Sequence, residues 1–227
     1  MSSPTRARDE QGLRPDPDAV LTAISWRDDS RRLDPHRLWV TALDIMVGVT
    51  PEMIDWWFGH MDRDLYLAFH PVDHKEFAWR RGKQPGGYVG ATHLSAQVYG
   101  GEGRLMRAEI SYVPPDEMFR ADQLAASDVG VAVCAKLHLL DEHDRPRPEE
   151  AGRFAHVGLR RRYGTELRSC WWLNNEADAD ADTQHLRRGT DVDAARRFKH
   201  AHEEFSHLAT MLPRLYALEG GAAARQG

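Results

Sequence analysis

Apolar and polar positions change their period near residue 190. Before it, Val129 to Leu140, Ala155 to Arg162 and Thr165 to Leu173 crowd apolar and β-branched residues into short runs bounded by Gly, Pro and Asp, a strand pattern. Tyr88 to Tyr99 and Arg104 to Val113 flank Gly100-Gly101-Glu102-Gly103, which predicts a β-hairpin. The run within Asp34 to Val49 contains a further strand. Thr50-Pro51-Glu52-Met53 then starts a helix: Thr50 caps it, Pro51 suits its first position, and Met53, Ile54, Trp57 and Phe58 form its apolar face. Leu65 to His70 alternates loosely and runs into a turn, Pro71-Val72-Asp73-His74. From Thr190 the spacing becomes three and four: Phe198, Ala201, Phe205, Leu208, Leu212 and Leu215 form one stripe of a helix of roughly seven turns, capped by Thr190 and kinked by Pro213. Strands followed by one long terminal helix argue for an α+β fold in which an antiparallel sheet curls around that helix.

Length and composition narrow the picture. The chain has 227 residues, enough for one well-buried core. Residues 1–17 are charged and Pro-interrupted, so a disordered tail is expected before a single domain over 18–227, with an exposed, initially acidic loop from Asn174 to Gly189. Thirty Lys and Arg stand against 35 Asp and Glu, a net charge of -5 that exerts no general pull on nucleic acid or anionic membranes. Only Cys134 and Cys170 occur, no secretory signal or spanning segment is evident, and the expectation is a cytoplasmic protein with reduced thiols. There is no phosphate-binding glycine loop, no Gly-x-Ser-x-Gly elbow and no zinc-finger cysteine spacing.

The most informative chemistry is His200 and Glu204, four residues apart on the terminal helix and able to grip one divalent ion. They lie about 110° and about 70° from the centre of the apolar stripe, on one flank. Spacing alone favours the plainer reading, a surface pair worth a few tenths of a kcal/mol. A catalytic site needs further ligands from the sheet. His70 and His74 are also four apart, with Pro71 between them, and His93, Gln97, Glu102 and Glu109 lie on or near the hairpin. His93, Ser95 and Gln97 share one strand face, whereas the facing strand presents either parity, depending on the turn. Trp56, Trp57, Trp171 and Trp172 suit either an aromatic pocket or the core.

Thr50-Pro51-Glu52-Met53-Ile54-Asp55-Trp56-Trp57-Phe58, Tyr66 to His74, Gly164 to Leu173 and His200 to Tyr216 together carry a family likeness. Over roughly residues 35–217 the chain resembles the 2,4-diacetylphloroglucinol hydrolase and phloretin hydrolase family. The resemblance implies a Bet v 1-like helix-grip fold, a zinc cofactor, a homodimer and hydrolysis of the carbon-carbon bond between an aromatic ring and an acyl group of a small aryl ketone. His74, His200 and Glu204 match three of the family's metal ligands. The fourth is a glutamate in the family, and the matching position here is Gln97, with Glu109 or Glu102 as possible substitutes. Tyr66 and His156 match residues that act on the substrate, and Trp171 falls near another substrate-contacting aromatic. The competing reading is a non-catalytic protein that binds a hydrophobic aromatic ligand in the same cavity.

Overall fold

The computed structural model describes residues 38–101, 105–125, 128–173 and 191–220. The expectations for the 1–17 tail, Glu102, the Asn174 to Gly189 loop and the Thr190 cap lie outside the described residues.

Seven strands are described: β1 (Leu38–Val47), β2 (His74–Arg81), β3 (Thr92–Gln97), β4 (Met106–Val113), β5 (Val129–Leu139), β6 (Gly152–Arg161) and β7 (Gly164–Leu173). They form one antiparallel sheet in the order β1-β7-β6-β5-β4-β3-β2. The predicted hairpin is β3 and β4, with Gln97 opposite Met106 and Ser95 opposite Ala108. That register decides the parity left open by the sequence.

Two helices follow β1: α1 (Pro51–His60) and α2 (Arg63–Phe69). The Thr50 hydroxyl accepts from the Met53 N–H, and Ile54, Trp57 and Phe58 are buried, as the capping pattern predicts. The loosely alternating segment from Leu65 is helical rather than extended. Asp62 caps α2 by accepting from the Leu65 N–H at 2.8 Å, and its buried pair, Tyr66 and Phe69, is three apart. The turn closes quickly, so His74 opens β2.

After a short α3 (Ala121–Leu124) and the last strands comes α4 (Asp191–Leu215). Ala201, Phe205, Leu208 and Leu212 are fully buried along it, and each large side chain contributes about 2 kcal/mol of apolar burial. Phe198 departs from the expected stripe: it is 49% exposed, while Arg197 beside it is buried. Packing of α2 and the β2-β3 end of the sheet covers the flank carrying residues 197, 200 and 204, which a stripe drawn from apolar residues alone leaves outside. Pro213 is accommodated within α4, which passes into a π-helical turn, Tyr216–Gly220.

The side of the sheet facing α4 carries Phe77, Tyr112, Val133, Leu137 and Phe154 in one core with Trp57 and Phe205. The opposite side of β5 to β7 carries a second core, in which Met118 and Phe119 cover Cys134, Val157, Cys170 and Trp172. Both cysteines are free and buried. No helix among the described residues is long and apolar enough to cross a membrane. A curved seven-stranded antiparallel sheet closed on a long C-terminal helix is the Bet v 1-like helix-grip architecture.

Candidate functional site

α4, α2 and the start of β2 bring three donors together. His74 Nε2 lies 3.6 Å from Glu204 Oε2, and His200 Nε2 lies 3.5 Å from the same oxygen. The three ligand atoms fall within 4.8 Å of one another, and all three residues are buried. His200 and Glu204 meet because they are one helical turn apart; His74 joins them because the tight turn after α2 aims the first residue of β2 at α4.

The donor set suits a divalent cation. His74 Nδ1–H donates to the Tyr66 carbonyl at 2.8 Å, and His200 Nδ1–H donates to Asp73 Oδ2 at 2.8 Å. Each imidazole is thereby oriented with Nε2 towards the shared point, the arrangement that metal-binding histidines adopt. The Tyr66 ring stacks on His74, with centroids 3.9 Å apart and planes 4° from parallel, and limits its rotation.

Asp73 is the element that spacing did not reveal. Gly100 and Gly101, at φ 78° and 72°, take left-handed conformations that suit glycine and turn both N–H groups onto the Asp73 carboxylate, at 3.0 and 2.6 Å. His70 stacks on His200 at 4.5 Å and accepts the Asp73 N–H at Nδ1, so its Nε2–H points towards Asp73 and Glu203, at 3.6 and 3.4 Å. His70 therefore belongs to the support of the site, with its Nε2 lone pair occupied by a proton.

A cavity opens beyond these donors. It is open to solvent at its mouth and is lined by Tyr66, His74, Gln97, His156, Trp171, His200 and Glu204. Tyr66 Oη lies 2.6 Å from Ser95 Oγ and donates to Gln97 Oε1 at 3.3 Å. Gln97 Nε2 in turn donates to Tyr99 Oη at 2.6 Å. His156 Nδ1 lies 2.8 Å from Ser169 Oγ, and its ring sits 5.3 Å from Trp171 and 4.9 Å from Phe205. Trp172 faces the second core instead.

Glu109 does not reach the site. It lies opposite Leu94, one residue out of phase with Ile110 and Tyr112, which line the cavity. Its carboxylate binds Arg81 at 2.5 Å and lies 3.8 Å from Arg80 on the far side of the sheet. Strand parity excludes it.

Burial and hydrogen bonding set the charges. Burial opposes the Glu204 carboxylate, but hydrogen bonds from His200 and His74 outweigh it and lower its pKa to about 2. Burial likewise opposes a charged His200, yet its bonds to Asp73 and Glu204 raise it to about 9. Without an ion, a proton on His200 Nε2 balances Glu204; binding a cation there releases it. His156 is the reverse case: burial lowers its pKa to about 4, so it is neutral at pH 7.

Several known proteins are similar. Protein Ms6760 from Mycobacterium smegmatis shares 14% identity at a TM-score of 0.46, covering 83% of this chain and 96% of that one. Ara h 8.0201 shares 14% identity at 0.42, covering 77% and 98%. The KanY protein (ms6282) shares 7% identity at 0.47, covering 78% and 97%. No curated protein matches the sequence significantly. The family model described as the DAPG hydrolase PhiG domain matches residues 32–217, and the chain belongs to that family.

Proposed function

We propose that this protein is a zinc-dependent hydrolase that cleaves the carbon-carbon bond between a phloroglucinol-like ring and an acyl group, with water supplying OH to the acyl carbon and H to the ring. The observation that carries this reading is the convergence of His74 Nε2, His200 Nε2 and Glu204 Oε2 at an aromatic-lined cavity. Membership of the DAPG hydrolase PhiG domain family supports the substrate class. These three residues would hold the ion, and Gln97 is the proposed fourth donor through Oε1. When bound, the ion supplies Lewis-acid polarisation of a carbonyl oxygen and a lowered pKa for water.

The chain's own groups orient the ring and handle protons. Tyr66, whose phenol burial keeps protonated, offers Oη to a phenolic oxygen of the substrate. His156, held neutral and hydrogen-bonded to Ser169, positions the acylated ring carbon and relays a proton to it rather than carrying one at pH 7. Trp171 and Phe154 flank His156 and make that end of the cavity aromatic. The reading extends to a cytoplasmic homodimer, with free buried thiols favouring a reducing compartment and the family resemblance favouring the dimer.

One observation favours a second reading. An amide at Gln97, where the family has a glutamate, weakens the ligand set and suits a protein that binds an aromatic molecule without cleaving it. Zinc-loaded protein incubated with diacetylphloroglucinol separates the two. Release of acetate and the monoacetyl product, lost with His200→Ala together with bound metal, is the expected result. Tight binding without release of acetate favours the carrier.

A further inference from the structure

Arg197 stands three residues before His200 and seven before Glu204, on the same face of α4. It is buried and lines the cavity. Its guanidinium carbon lies 4.4 Å from the centre of the Tyr99 ring, and its Nη1 donates to Tyr99 Oη at 3.0 Å. Among the described residues that is its single hydrogen bond, and no carboxylate pairs with it. The neighbouring acids are committed elsewhere: Glu204 to His74 and His200, Asp73 to His200 and two glycine N–H groups. Tyr99 brings no countercharge, because burial raises its pKa. Gln97, which already donates to Tyr99 Oη, is neutral as well.

A guanidinium carries five donors in a planar fork, and a buried one without an anion is costly. Here most of that fork remains for a molecule in the cavity. We propose that Arg197 is the specificity residue of the site and receives an anionic oxygen borne by the aromatic ring of the ligand, a carboxylate or an ionised phenol. The identity of the ligand as an aryl ketone rests on the hydrolase reading; the requirement for a negative charge rests on Arg197 alone.

Calorimetric titration of zinc-loaded and metal-free protein tests it. One arm compares meta- and para-acetylbenzoate with the corresponding neutral amides. The other compares acetophloroglucinol with trimethoxyacetophenone through the pH range in which the phenol ionises. The expected result is binding about tenfold or more tighter for the anion in at least one arm, as for a charge-assisted hydrogen bond. The arm that responds identifies the carboxylate or the phenolate as the source. Arg197→Gln should abolish the preference while leaving zinc content unchanged. Arg197→Lys, which keeps the charge but not the fork, should retain part of it and serves if the Gln variant does not fold. Equal affinities in both arms, or a preference unchanged in either variant, would overturn the proposal. Absence of bound zinc or of acetate release bears on the hydrolase reading instead, since the charge preference is read without turnover.

Discussion

Asp73 Oδ2 accepts a hydrogen bond from His200 Nδ1 at 2.8 Å across 127 residues of sequence. The contact couples the turn before β2 to the middle of α4 and holds a candidate metal ligand by its rear nitrogen. Gly100 and Gly101 fix the same carboxylate from the β3-β4 turn, so three segments set the orientation of one imidazole. His70 and Asp73 also explain why the His200 ring is buried without being apolar.

Replacing Asp73 with Asn tests this coupling. The amide keeps the shape but loses the charge, and zinc affinity is expected to fall by roughly 10-fold to 100-fold, as for other partners of metal-binding histidines. Competition with a chromophoric chelator measures it. Unchanged affinity would show that His200 is oriented by packing alone.

Gln97 is the weak member of the proposed donor set. In Gln97→Glu a carboxylate would accept from both Tyr66 Oη and Tyr99 Oη, whose oxygens lie 3.3 and 2.6 Å from the present amide. Zinc affinity is expected to rise by about tenfold or more, because an ionised oxygen is a stronger ligand than a neutral one. A weaker or equal affinity by the same competition assay would remove Gln97 from the set of ligands.

Tyr66→Phe separates the two tasks of that side chain. The ring that stacks on His74 remains, so zinc content should not change. Loss of Oη leaves Ser95 and Gln97 short of a partner, a cost of about 1–3 kcal/mol in stability. With an active substrate the expected kinetic effect is a higher KM. A drop in zinc content without a change in KM would assign Tyr66 to the metal support alone.

Buried histidines contribute to the pH dependence of stability in the metal-free protein, and outnumber Asp44, whose carboxyl burial raises to about 6 and which acts in the opposite direction to His156 and His93. His156 and His93 have an ordinary value of 6.5, and burial lowers them to about 4 and about 3 in the folded chain. Below 6.5 the unfolded chain alone takes up these protons, so their contribution is complete above 6.5 and is lost as pH falls through 4. His200 acts in the opposite direction: despite the penalty of burial, its hydrogen bonds raise it to about 9, and its contribution is complete below 6.5 and lost as pH rises through 9. The Tm of metal-free protein should therefore peak near pH 6.5. A Tm that is level from pH 4 to 9 would contradict the assignment of these charge states.

Local pattern alone determined much of this protein. The strand runs, the Thr50 cap and Pro51 of α1, the apolar spacing of α4 and the shared face of His200 and Glu204 are all visible in the sequence, because caps and periodicity act over a few residues. The family resemblance added His74, Gln97, Tyr66, His156 and Trp171, which line one cavity. The rest depended on contacts between distant segments. The Asp62 cap, not the loose alternation, governs Leu65 to Phe69 and makes α2 helical. The β3-β4 register, which the sequence does not fix, sends Glu109 to the far side of the sheet. Phe198 and Arg197 exchanged exposed and buried places because the sheet and α2 enclose the polar flank of α4 as well as its apolar stripe. Asp73 and Arg197 carry no signal of their own; only the packing of α4 against the β2-β3 end places one behind His200 and leaves the other facing the cavity with no described carboxylate paired to it.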